Sequence, residues 1–331
     1  MRIVGADAFG PDGAMKLDED DDAADRPEPG DGSLAAFAGG TVRAADVAHL
    51  SDLGREAAGR FAREWADLPE ATRVAVVREI DELAEDRVEL QFGRVLRVAL
   101  DDPSPVVRQL AVAALWEDEG SDLLGRLRGL LARDPSDDVR AEAARALGRF
   151  ADRAAEGDLA DDVADALRSE LATVAADPAE PPHVRRLALE SVGAFGKDRD
   201  IRTLILEAWE SDDQADRGSA LYAMGQSRDR AWLPTLLDEL ATDEAVLRYE
   251  AARALGVIGS DAAVPELLAV MDGEEDVEVR HAAIGALGAI GGRAAVRALR
   301  TLADHAEEAD EALIEAALEE ASNLDDADDD R

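Results

Sequence analysis

Asp138-Val139-Arg140-Ala141-Glu142-Ala143-Ala144-Arg145-Ala146-Leu147-Gly148 is the stretch that decides the fold, because its register comes back along the chain. Its arginine, Arg140, belongs to a series: Arg108, Arg140, Arg185, Arg217, Arg248 and Arg280, spaced by 32, 45, 32, 31 and 32 residues. Three residues after each stands alanine (Ala111, Ala143, Ala188, Ala220, Ala251, Ala283), and six after it a small residue, Ser191 in one repeat and alanine in the others. Seven after it is Leu, Val or Met, and eight after it Gly148, Gly193, Gly225, Gly256 or Gly288, with Trp116 as the exception. Self-similarity at a fixed period of this size is the mark of a repeat architecture.

Offsets 0, 3, 4 and 7 share one side of an α-helix, and the valine before the arginine (Val107, Val139, Val184, Val279) widens the apolar stripe. Small residues at offsets 3 and 6 let a neighbouring helix come close, and the glycine at offset 8 serves either that packing or the helix stop. A turn rich in Asp, Ser and Pro precedes each such helix, for example Asp101-Asp102-Pro103-Ser104-Pro105 and Asp134-Pro135-Ser136-Asp137-Asp138. There Asp and Ser are expected to cap the incoming helix. Before each turn lies another helical pattern, such as Leu123, Leu124, Leu127, Leu130 and Leu131. Each unit therefore reads as a helical hairpin. A hairpin cannot bury both apolar faces alone, so the units must stack.

The expected fold is all-α, an α-solenoid (a right-handed α-α superhelix) of about seven or eight hairpins. Arg73 to Leu83 keeps the arginine and the apolar residues but not the small ones, as a terminal or degenerate unit should; Ala312 to Ala321 keeps the helix alone. Residues 1–40 hold the run Asp18-Glu19-Asp20-Asp21-Asp22 and few large apolar residues, and predict a disordered acidic tail. The solenoid is placed at 41–322, and a second acidic tail at 323–331, which includes Asp328-Asp329-Asp330. Trp65, Trp116, Trp209 and Trp232 fall within helical patterns and are expected in the core.

Composition narrows the chemistry. The 331 residues include 75 acidic and 36 basic side chains, four histidines and no cysteine, for a net charge of −39. Thiolate metal sites, disulfides and thiol nucleophiles are excluded. Of the basic residues only Lys16 and Lys197 are lysine, and Asp outnumbers Glu by 44 to 31, a balance that resembles a salt-adapted, haloarchaeal-type proteome. Such a charge opposes binding to a nucleic-acid backbone. The opening residues lack a cationic start followed by an apolar core, and no apolar run approaches a membrane span of about 18 residues. A cytoplasmic protein without a membrane partner is expected.

Asp138 to Gly148, and with it Val279-Arg280-His281-Ala282-Ala283-Ile284-Gly285-Ala286-Leu287-Gly288, resembles HEAT-like repeats of the phycobilisome-lyase (PBS lyase) type. The resemblance runs well over about residues 85–300 and loosely over 50–320. It implies that Arg108, Arg140, Arg185, Arg217, Arg248 and Arg280 form a structural ladder between units with acidic residues of the preceding turns: Asp102, Asp134 and Glu274 six positions before their arginine, and Asp243 five before. Proteins of this kind include bilin lyases and an iron-dependent deoxyhypusine hydroxylase. The hydroxylase would require His-Glu pairs, yet none of His49, His183, His281 and His305 is followed by Glu. No metal, no cofactor and no catalytic residue is therefore assigned. Gly193-Ala194-Phe195-Gly196-Lys197-Asp198 lacks the first glycine and the Ser or Thr of a phosphate loop, and reads as a helix end.

In repeats of this kind the second helices line the concave side, and offsets 1 and 5 should face it. Both tyrosines of the chain stand there, and Tyr and Arg are enriched in binding hot spots. Arg145, Arg186, Tyr222, Tyr249, Arg253 and His281 are accordingly the candidate docking surface for a protein or acidic peptide. The competing reading is an ordinary amphipathic surface with half-packed rings. The step from Arg140 to Arg185 holds about 13 extra residues, expected as a loop that is either a second contact site or tolerated length. The functional expectation is a monomeric, non-catalytic scaffold or adaptor that binds a protein or peptide. A modification enzyme related to bilin lyases is the rival.

Overall fold

A computed structural model describes residues 31–271, 273–304 and 308–329. These form seventeen α-helices and a few 3-10 turns, with no β-strand among the described residues. Helices alternate with short turns throughout, as stacked hairpins require. The chain divides into two compact units, one ending at Trp116 and the other beginning at Glu117.

The first unit contains α1 (Ala44–Ala48), α2 (Arg55–Trp65), α3 (Glu70–Asp86), α4 (Gly93–Ala99) and α5 (Pro105–Ala113). Its core holds Phe61, Trp65, Val76, Val77 and Ile80, with the Phe61 and Trp65 rings stacked at 5.0 Å. Leu34 and Phe37 are buried too, so the packed chain begins ahead of residue 41, where the tail was expected to end. Two large apolar side chains suffice to hold that short segment down. The remainder of the expected N-terminal tail, residues 1–30, lies outside the described residues.

A buried polar cluster ties the hairpins of this unit together. The Trp65 indole donates to Asp102 Oδ2 at 2.7 Å, Arg73 Nη2 donates to Oδ1 at 3.2 Å, and Arg73 also donates to the Leu68 carbonyl. The Asp102 side chain is wholly buried, so its charge depends on these donors. Asp102 Oδ1 also accepts from the Ser104 backbone N–H at 2.8 Å. It thus folds the turn before α5, where a cap on the helix itself was expected.

The second unit consists of six hairpins. These are α6 (Ser121–Arg133) with α7 (Asp137–Glu156), α8 (Asp161–Ala176) with α9 (Pro182–Val192), and α10 (Arg199–Trp209) with α11 (Gln214–Gln226). They continue with α12 (Leu233–Glu239) and α13 (Ala245–Ile258), α14 (Val264–Val270) and α15 (Val277–Ile290), then α16 (Gly292–Ala303) and α17 (Glu308–Asp329). The second helices α7, α9, α11, α13, α15 and α17 pack side by side in that order.

One contact recurs at each step of that file. A Cβ added to Gly193 would lie 2.7 Å from Ala223 Cα, one on Gly225 2.7 Å from Ala254 Cα, and one on Gly256 2.9 Å from Ala286 Cα. A Cβ on Gly288 would lie 3.1 Å from Ala317 Cα, and one on Gly148 would meet the Ser191 side chain, with its Oγ at 3.1 Å. The glycine at offset 8 of one repeat thus receives the small residue at offset 6 of the next. Gly148, Gly225, Gly256 and Gly288 lie inside their helices, so their purpose is close approach and not termination. Helix stops fall instead at Gly157 and Gly259, both left-handed at φ 89° and 66°.

Three expectations are corrected. The extra residues between Arg140 and Arg185 form no loop: they lengthen α7 to 20 residues and α8 to 16. Trp116 is 52% exposed, in the turn after α5, whereas Trp65 and Trp232 are buried and Trp209 half-buried. The repeat that has Trp in place of Gly is also the one after which the two units divide. Residues expected in a C-terminal tail from 323 onward continue α17 through Asp329. Among the described residues no helix is long and apolar enough to cross a membrane.

Candidate functional site

The recurring arginines and the docking residues occupy different parts of the repeat. Four of the six arginines bond backward to the turn that precedes their helix: Arg108 to the Asp102 carbonyl, Arg140 to that of Asp134, Arg248 to that of Thr242 and Arg280 to that of Glu274, each six residues before it. The carboxylates come from farther along. Arg73 meets Asp102, Arg140 meets Glu180 at 2.9 Å, Arg217 meets Glu239 at 3.2 Å, Arg248 meets Glu274 and Arg280 meets Asp310 at 3.3 Å. At Asp102 and at Glu274 the carboxylate answers the arginine of the preceding hairpin, while the backbone carbonyl of the same residue is taken by its own arginine, Arg108 or Arg280. Arg185 departs from the pattern and donates to the Ala175 carbonyl at 3.2 Å. These guanidinium groups satisfy turn carbonyls that no helix bond reaches.

Four of the six docking candidates come together. Tyr222 (α11), Tyr249 and Arg253 (α13) and His281 (α15) line one groove of about 430 Å³. Its floor is made by the seam residues Ala254, Gly256 and Ala286, with Ala282 and Gly285 beside them. Val257, Ala289 and Leu313 add apolar walls, and Val257 is 40% exposed. Small side chains in the seam leave a trough, and the larger side chains at offsets 1 and 5 form its rims.

The Arg253 guanidinium carbon lies 5.5 Å from the Tyr222 ring centroid and 5.4 Å from that of Tyr249, so both rings hold it by cation–π attraction. Glu250 is 3.5 Å from Arg253 Nη1. His281 Nε2 is 3.0 Å from Asp310 Oδ1, the carboxylate that also meets Arg280, so the ring is oriented by a member of the ladder. Burial raises the pKa of Glu190 and Glu250 above the usual carboxylate range and raises that of the Tyr222 phenol. Ser219 donates to Glu190 at 2.6 Å, while Glu250 Oε2 is buried without a hydrogen-bond partner.

The other two candidates are placed elsewhere. Arg145 is exposed, pairs with Glu142 at 2.5 Å, and borders a smaller hollow that shares Tyr222 with the groove. Arg186 pairs with Asp216 at 3.3 Å beside α10 and does not reach the groove. Gln226, Val257 and Ala289, all at offset 9, are groove residues that the sequence reading missed. They continue the series of offsets 1 and 5 by one more helical turn, a signal that was available.

Among the described residues no three His, Asp or Glu side chains come together as metal ligands. His305 lies outside the described residues. Gly193 and Gly196 face Ala223 and Ser227 of the next hairpin and present no phosphate cradle.

A family model for HEAT repeats matches residues 94–177 and 233–321, which is more than half of the chain. The chain belongs to the HEAT-repeat family. A deoxyhypusine hydroxylase from Bos taurus is 35% identical over 105 residues, which cover 31% of this HEAT-repeat chain and 34% of the hydroxylase. The match therefore spans about a third of that relative's length. Among solved structures, the complex of CpcE and CpcF of phycocyanin lyase from Nostoc aligns over 76% of this chain and 95% of its own, with 22% identity and a TM-score of 0.52. A human deoxyhypusine hydroxylase in complex with glycerol aligns over 85% and 96%, with 20% identity and a TM-score of 0.34. At 22% identity the likeness to the CpcE–CpcF complex is one of fold.

Proposed function

We propose that this HEAT-repeat protein is a non-catalytic scaffold or adaptor that binds a partner protein or peptide in the groove bounded by Tyr222, Tyr249, Arg253 and His281. The observation that carries the reading is the meeting of these four side chains, from three successive hairpins, over one apolar floor. Tyr and Arg anchors around a desolvated centre are what binding hot spots are made of. A stack that ties its recurring arginines into structural bonds contributes a preformed surface. The absence of cysteine from the chain suits a reducing cytoplasm.

Site-specific photo-cross-linking tests the reading. A photoreactive side chain at Tyr249 is expected to capture a discrete protein from a lysate, and one at Leu206 on α10 is not. Equal capture from both positions contradicts the proposal. Visible absorbance or bound iron in the purified protein would favour the rival modification-enzyme reading.

A further inference from the structure

Arg253 differs from the arginines of the ladder in one respect. Arg248, five residues earlier on α13, gives two hydrogen bonds to Glu274 and one to the Thr242 carbonyl. Arg253 donates no hydrogen bond among the described residues; its partners are the two tyrosine rings and the 3.5 Å approach of Glu250. Contacts with ring faces fix a guanidinium while leaving its in-plane N–H groups free, and those groups match a carboxylate in a two-pronged contact. The side chain is 45% exposed and borders the groove, next to the apolar floor around Val257 and Gly285.

We infer that the groove takes a segment of a partner protein in which one Asp or Glu side chain is flanked by aliphatic residues, the carboxylate pairing with Arg253 and the aliphatic groups seated on the floor. This deepens the scaffold reading and depends on it. Charge complementarity selects such a segment. The chain as a whole carries −39, so a segment with many acids is repelled, whereas the groove offers Arg253 to a single one. Among the described residues the one carboxylate that lines the groove is the exposed Glu278, whose charge water screens; Glu250, outside the lining, approaches Arg253 at 3.5 Å without a hydrogen bond and leaves the arginine side chain 45% exposed. A chain-terminal carboxylate is a poorer match, because its capture calls for a nest of free backbone N–H groups, and the lining comes from the sides of helices whose N–H groups are used within them.

The test is calorimetric titration of the full chain with the blocked peptide acetyl-Gly-Leu-Glu-Leu-Gly-amide and its Gln counterpart. The Glu peptide is expected to bind at least about tenfold more tightly. Arg253→Gln is expected to abolish that preference without weakening the Gln peptide, and Arg253→Lys to restore part of it. Circular dichroism confirms that both variants fold. Equal affinities for the two peptides, or no binding of either at millimolar concentration, overturns the inference. Hexanoate binding as tightly as the Glu peptide also overturns it, in favour of a small carboxylate ligand. A partner that cross-links from Tyr249 and binds Arg253→Gln undiminished removes this inference and leaves the scaffold reading standing.

Discussion

Arg248 and Glu274 meet through two parallel hydrogen bonds, Nε to Oε2 at 2.7 Å and Nη2 to Oε1 at 2.8 Å, across the gap between successive hairpins. Both side chains are largely buried, at 17% and 7% exposure, so the pair works in a medium where charge is poorly screened. Removing one partner leaves the other buried and unanswered. Arg248→Ala is expected to destabilise the second unit by about 3 kcal/mol, the cost usual for a broken buried pair. Urea unfolding at constant salt measures it, and a loss below a few tenths of a kcal/mol would show that the pair does not couple the hairpins.

The same pair sets a pH response. The Arg248 hydrogen bonds hold the Glu274 carboxyl below its ordinary range. Its contribution is therefore complete above the ordinary carboxylate pKa and is lost as pH falls through the lowered folded value. Glu274→Gln should lower stability at neutral pH and reduce the acid-side slope of stability against pH. An unchanged slope would contradict the assignment.

Glu250 should behave in the opposite sense. Burial raises its pKa in the folded chain, so the folded state holds the proton more firmly than the unfolded one. Its charge is a cost at neutral pH that is relieved as pH falls through the raised folded value. Glu250→Gln is expected to raise the melting temperature at pH 7 and to change it little at pH 4. A melting temperature lowered at pH 7 would mean that the contact with Arg253 outweighs the burial.

Two glycines should respond oppositely to the same substitution. Gly225→Ala sets a methyl 2.7 Å from the Ala254 backbone, an overpacking that costs about 1–3 kcal/mol and exceeds the helix-propensity gain of about 1 kcal/mol. Gly285, also inside a helix, has open space where its Cβ would stand, so Gly285→Ala should stabilise by about 0.5–1 kcal/mol. Thermal melts that move in the same direction would refute the role given to the seam.

Net charge makes salt a determinant of stability. With −39 on 331 residues, lowering ionic strength from 1 M to 10 mM extends the screening length from about 3 Å to about 30 Å. Self-repulsion then acts across whole hairpins, and the melting temperature is expected to fall. Circular dichroism melts that coincide at the two salt concentrations would sink this expectation.

The hairpins, their register and the arginine series were legible because each is a one-dimensional regularity: a stripe of apolar residues, a turn, a residue at fixed spacing. Tyr222, Tyr249, Arg253 and His281 were legible as a group for the same reason, since offsets 1 and 5 define a face before any coordinates exist. What stayed hidden depends on relations between repeats. Nothing in a single repeat says that Glu274 answers Arg248 while its own Arg280 takes the Glu274 carbonyl. Nor does it tell that Gly225 receives Ala254, or that Arg186 turns to Asp216 and away from the groove. The extra residues after Arg140 can be counted in the sequence but their conformation cannot be read there, because length alone does not distinguish a loop from two longer helices.

The glycine-on-alanine seam also bears on ancestry. From Gly193 to Ala286 each joint presents the same knob and the same notch, so unequal recombination there could drop or duplicate one hairpin and still leave matching surfaces at the new join. The longer α7 and α8 break that interchangeability. Relatives of different length should differ by whole units downstream of α9 and keep the stretch before it intact.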